Sequence, residues 1–151
     1  MSLKDTLQND IKAALLGGNR FEGDTLRNLK AAILNEEVAM GKRDEGLDDA
    51  EIEKVVAREV KKRRESITVY EENGRPELAQ TEKDEVAVLE KYLPAQLSDD
   101  EIRSIVSEVV ASMGDVSVQQ MGQVIGAVKA KAGNAADGAI IAKIVKEELT
   151  K

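Results

Sequence analysis

The chain contains no cysteine, no histidine and no tryptophan. Without thiols there is no disulfide framework, no thiolate nucleophile and no cysteine-type zinc site, and a reducing compartment suits such a chain. Without imidazole, no side chain titrates near neutrality at its ordinary pKa. Aromatics are confined to Phe21, Tyr70 and Tyr92, so the core must be aliphatic, and base stacking is unavailable beyond Tyr92. No apolar run approaches the ~20 residues of a membrane span, and Met1-Ser2-Leu3-Lys4-Asp5 opens without an apolar leader. These absences predict a cytoplasmic protein with no membrane partner. Positive charge is also short, with 22 basic against 29 acidic side chains and a net charge of −7. This balance works against strong nonspecific binding to a polyanion, so any nucleic-acid contact must be local and read by shape.

What the chain does have is helical periodicity. Leu3, Leu7, Ile11 and Leu15 recur every four residues behind Ser2, a candidate N-cap, and Gly17-Gly18 supplies the stop. A second helix is expected after Asp24, with Leu26, Leu29, Ile33 and Met40 on one face, ending near Gly41 before a polar loop. Asp48 and Glu51 form a capping-box pattern that opens a third helix carrying Ile52, Val56, Val60, Ile67 and Tyr70. That helix is long, about 24 residues or roughly 36 Å. Asn73-Gly74-Arg75-Pro76 breaks it, and Leu78, Val86, Leu89 and Leu93 mark a fourth helix folded back as a hairpin and ended by Pro94.

Ser98 and Glu101 restart a helix with a second capping box, so residues 94–98 read as a linker between a 1–93 domain and a 99–151 tail. In the tail, a dense stripe from Ile102 to Met113 ends at Gly114. Ser117 and Gln120 form a third box, and Asp137 is placed to cap a last helix carrying Ile140, Ile141, Ile144, Val145 and Leu149. Nothing alternates with period two over more than a few residues. The fold class predicted is all-α: a multihelical N-terminal part with a long helical hairpin, a small three-helix tail, and no sheet.

Three constellations stand out. Winding at about 100° per residue aims Arg63 into the apolar stripe of the third helix and Glu82 into that of the fourth. An unpaired buried charge is expensive, so Arg63 and Glu82 are expected to pair as a register-fixing ion pair, with Glu37 the competing partner. Truncating Arg63 in a buried pair should cost about 3–5 kcal/mol. Lys54, Arg58, Lys61, Lys62 and Arg64 form a basic face on the other side of the third helix, interleaved with glutamates; it reads as a phosphate-holding surface or as a solvated face. Gly122 and Gly126 have the G-x-x-x-G spacing, which reads either as tight helix packing or as close approach by a ligand's backbone. No nucleophile motif, phosphate-loop spacing or ligand cluster is present, so no catalytic residue, cofactor or metal is expected.

The run Lys61-Lys62-Arg63-Arg64-Glu65-Ser66-Ile67, the segment Gly74-Arg75-Pro76-Glu77-Leu78-Ala79, the linker Tyr92-Leu93-Pro94-Ala95-Gln96-Leu97, the segment Met121-Gly122-Gln123-Val124-Ile125-Gly126 and Ala136-Asp137-Gly138 together resemble the GatB/YqeY family over nearly the whole chain. The resemblance implies an all-helical protein whose tail is related to the C-terminal domain of the B subunit of glutamine-dependent aminoacyl-tRNA amidotransferases, where that domain contacts tRNA. It implies tRNA, or a tRNA-handling complex, as partner. The family label of carbon-nitrogen ligase with glutamine as amido-N-donor goes with a catalytic portion this chain lacks, so the function expected is a noncatalytic binding module, accessory to tRNA-dependent amidation. Members commonly carry basic residues where this chain has Ala135 and Ala139. The residues left for RNA are Gly122, Gly126, Lys129, Lys131, Gly133, Asp137 and Gly138, the last at a helix N-terminus suited to phosphate. One alternative is a protein-interaction adaptor that uses the hairpin, which suits the negative charge; the other is the family-level activity, a carbon-nitrogen ligase with glutamine as amido-N-donor or a subunit of one.

Overall fold

Ser2 starts the first helix as its position predicts, its hydroxyl accepting from the Asp5 N–H, and α1 spans Leu3–Leu16. The structure, a computed structural model, describes residues 2–151. α2 spans Arg20–Ala39, starting earlier than expected because the Asn19 side chain accepts from the Glu22 N–H directly after the Gly17-Gly18 turn. α1 and α2 form an antiparallel pair that closes at Gly23, where a β-carbon would stand 3.1 Å from the Leu15 side chain.

α3 spans Asp49–Glu72 behind a complete capping box between Asp48 and Glu51. Gly74 takes φ +69, a left-handed conformation that other residues rarely adopt, and Pro76 occupies the first turn of α4, Pro76–Leu89. α4 stops short of Leu93 and gives way to a 3₁₀ turn, Glu90–Tyr92, that buries the Tyr92 ring. The Tyr92 hydroxyl donates to the Asp10 carboxylate of α1. Burial first, and this bond second, raise the pKa of the phenol.

The core of this part joins Leu7 and Ile11 to Leu26, Leu29, Ile33, Ile52, Val56, Val60, Val86 and Leu89. Val55 joins it, and Ala79 is buried too, both from positions outside the expected stripes, while Leu15, Met40 and Leu78 are exposed. Glu37 is the one buried carboxylate among the described residues. It accepts from Lys4 Nζ at 2.8 Å and from the Leu47 N–H at 3.0 Å. The Lys4 bond chiefly lowers its pKa, against burial, and the Leu47 N–H adds to the lowering. The carboxylate thus ties the loop after α2 to the start of α1.

α5 spans Asp99–Met113 behind the Ser98–Glu101 box. The Ser117–Gln120 box forms too, but it opens a 3₁₀ turn, Val118–Gln120, before α6, Met121–Ala132. α7 spans Gly138–Leu149, with Asp137 accepting from the Ala139 N–H at 2.7 Å. Ile102, Val106, Val124, Val128, Ile141 and Ile144 are fully buried among these three helices. The described residues hold seven α-helices and no strand, an all-α fold. The chain divides into two compact units, one ending at Leu93 and one spanning Pro94–Lys151. Residues 94–97 are tied to the second: the Leu97 N–H donates to the Ala135 carbonyl at 2.8 Å, and Gln96 Nε2 to that of Asn134 at 3.1 Å. No helix of the described residues is long and apolar enough to cross a membrane.

Candidate functional site

The buried residues of α6 are Val124, Val128 and Ala132, so helical winding leaves Gly122, Gly126 and Lys129 together on its outer face. Nothing stands within 4 Å of the β-carbon either glycine lacks. The tight helix packing that G-x-x-x-G suggests does not occur here, and the spacing leaves bare, solvent-facing backbone. α6 ends at Gly133 with φ +57, and a short turn delivers the chain to Asp137, the N-cap of α7.

Lys129 reaches back over that N-terminus. Its Cε and Nζ lie 3.0 and 3.1 Å from the position a β-carbon on Gly138 would occupy, so any side chain at Gly138 would displace it. Lys129 forms no ion pair among the described residues, whereas Lys131 points to Glu108 of α5 at 3.6 Å. A helix N-terminus carries partial positive charge, so an ammonium beside it opposes the dipole, and the Asp137 carboxylate offsets only part of the excess. From residue 116 to 146 there are four lysines against one aspartate, a local charge of +3 within an acidic chain. Bare backbone, a cation and a helix N-terminus make a surface suited to a phosphate. Of the expected tail residues, Gly122, Gly126, Lys129, Asp137 and Gly138 converge in this way. Gly133 shapes the connection, and Lys131 is directed elsewhere.

The expected Arg63–Glu82 pair does not form. Arg63 Nε bonds Glu85 at 2.7 Å, and its Nη1 bonds Glu59 at 3.1 Å. Glu82 and Glu85 share one face of α4, three residues apart, and helical winding alone does not fix which of them meets α3. Glu37, the competing partner, is taken by Lys4. Burial works to lower the pKa of Arg63, but the bonds to Glu85 and Glu59 outweigh it. Glu82 is half-buried without an ion pair among the described residues, and its pKa is raised by burial first and by the neighbouring Glu85 second. The Arg63 and Glu85 side chains are 13% and 22% exposed, so water screens the pair in part. Arg63→Ala is expected to cost about 2–3 kcal/mol in denaturant unfolding, below the range for a fully buried pair. A loss under about 0.5 kcal/mol, typical of a surface pair, would contradict the geometry.

The basic face of α3 is largely neutralised. Arg58 bonds Glu36 at 3.0 Å, Lys62 bonds Glu59 at 3.4 Å and Arg64 bonds Glu90 at 2.6 Å. Only Lys54 and Lys61 project without an ion pair among the described residues, which leaves little free positive charge to hold a polyanion. No group of three or more carboxylates placed to hold a metal ion exists among the described residues.

The family model described as Yqey-like protein matches residues 4–149. The chain is similar to proteins named altered inheritance of mitochondria protein 41, mitochondrial. That of Meyerozyma guilliermondii is 29% identical over 82% of this chain and 67% of its own length. Those of Eremothecium gossypii and Clavispora lusitaniae are 35% and 31% identical, covering 59% and 68% of this chain and 48% and 59% of their own. The chain thus spans about half to two thirds of these relatives. Their mitochondrial names overturn the cytoplasmic location expected from the sequence. That expectation rested on a missing apolar leader, which says nothing of organelle import, since mitochondrial leaders are amphipathic and arginine-rich.

Proposed function

Because the chain belongs to the Yqey-like protein family, we propose that it is a noncatalytic helical module whose tail holds the backbone of a structured, tRNA-like RNA as an accessory to tRNA handling. The observation that carries this reading is Lys129 set against the N-terminus of α7 beside the bare backbone of Gly122 and Gly126. Two like-signed features placed together are relieved by an anion, and the empty glycine face lets a sugar–phosphate backbone come close. With no aromatic in the tail, recognition is by shape.

Gly126→Leu tests it, because the added side chain enters open space and leaves the fold intact while standing where the RNA backbone would lie. Its tRNA affinity at low salt is expected to fall about tenfold, roughly 1.4 kcal/mol, while thermal stability holds or rises because leucine replaces an exposed mid-helix glycine. Unaltered affinity would refute this placement.

The adaptor reading is supported by Val69 and Leu78, two large apolar side chains exposed on the hairpin. Pull-down from RNase-treated lysate separates the two readings: an adaptor keeps its partners and an RNA binder loses them.

A further inference from the structure

A groove of about 520 Å³ lies between α1 and α2, within the size range of small-molecule sites. Two cross-helix bonds bound it. Lys30 Nζ donates to Gln8 Oε1 at 2.7 Å, and Lys4 Nζ to Glu37 Oε2 at 2.8 Å. Since α1 and α2 are antiparallel, these bonds mark opposite ends. Between them, buried Leu7 and Ile33 form the floor, and Leu34, 46% exposed, forms an open apolar lip.

The two ends differ in charge. At one, Arg27 is exposed and forms no ion pair among the described residues, and the ammonium of Lys30 is held only by a neutral amide. Two cations are left uncompensated there. At the other end, Lys4 and Glu37 cancel, and Asp5 adds an exposed carboxylate without an ion pair among the described residues. From Arg27 to Leu34 the groove runs about 10 Å along α2, at about 1.5 Å per residue.

We infer that this groove binds a free aliphatic monocarboxylate of medium chain length, its head between Arg27 and Lys30 and its chain along Leu7, Ile33 and Leu34. Apolar walls supply the attraction for the chain, and the few polar groups fix its direction. A cationic head would meet Arg27 and Lys30. A second carboxylate at the far end would meet the exposed Asp5, where Lys4 is already neutralised by Glu37. The inference does not depend on RNA binding by the tail.

The test is a methyl-NMR titration of the full chain with decanoate, decyltrimethylammonium and decanedioate below their micelle concentrations, and with anionic phospholipid vesicles. Decanoate is expected to shift the Leu7, Ile33 and Leu34 methyls saturably. The cationic and dicarboxylate probes are expected to bind about tenfold more weakly or worse. Arg27→Glu combined with Lys30→Glu should lose decanoate binding, and because both side chains are exposed the circular dichroism spectrum should be unchanged. Leu34→Ser should weaken binding without reversing the preference for the anion. Equal affinity for the anionic and cationic chains, unsaturable shifts spread over the surface, or engagement of vesicles alone would each overturn the inference.

Discussion

Ile141→Ala is expected to destabilise the tail selectively and leave the stability of the first unit unchanged. Ile141 is fully buried among Ile102, Val106, Val124, Val128 and Ile144, and truncating such a residue costs about 2–5 kcal/mol through lost transfer energy and the cavity left behind. The unit from Pro94 to Lys151 is small, and at roughly 0.05–0.15 kcal/mol per residue its whole stability is of order 3–9 kcal/mol. One substitution therefore removes much of the margin. Hydrogen exchange resolved by peptide is the measurement. Protection should fall across α5, α6 and α7 and persist in α2 to α4. Loss of protection in both units together would show that they fold as one cooperative body.

Charge reversal at Lys129 and Lys131 carries the second large effect. Lys129 stands over the α7 N-terminus, and reversing it places a carboxylate where a phosphate is proposed to sit. Lys131 pairs with Glu108 at 3.6 Å between well-exposed side chains, so its reversal costs little stability, of order 0.5 kcal/mol. The double variant is expected to lose tRNA affinity by about 30-fold or more at low salt, a change of roughly 2 kcal/mol. Lys54→Glu with Lys61→Glu on α3 serves as the control. If those substitutions weaken binding as much, the RNA surface lies on the hairpin.

The sequence was most legible where the signal is local. The boxes at Asp48, Ser98 and Ser117 and the caps at Ser2 and Asp137 all formed, because each requires only side chains and N–H groups two to three residues apart. The apolar stripe does not reveal the start of α2, because its first turn buries little and the Asn19 cap sets it. Which carboxylate meets Arg63 was not legible, since the register of two packed helices depends on the turn and on interdigitation along the whole hairpin. The G-x-x-x-G spacing placed both glycines on one face, yet nothing local says whether a neighbour will cover that face. The reach of Lys129 over Gly138 belongs to tertiary structure alone. Neither the convergence of Gly122, Gly126, Lys129, Asp137 and Gly138 nor the departure of Lys131 toward Glu108 is legible in the chain.

The proposed function places a phosphate backbone on the small cationic surface formed by Lys129, Gly122, Gly126 and the start of α7. The salt dependence of its tRNA affinity is the most direct measurement. With one or two lysines engaged, log K should fall against log salt with a slope of about −1 to −2, and the slope should vanish with binding in the Lys129/Lys131 reversal. A flat dependence, or no affinity even at low salt, would contradict the account.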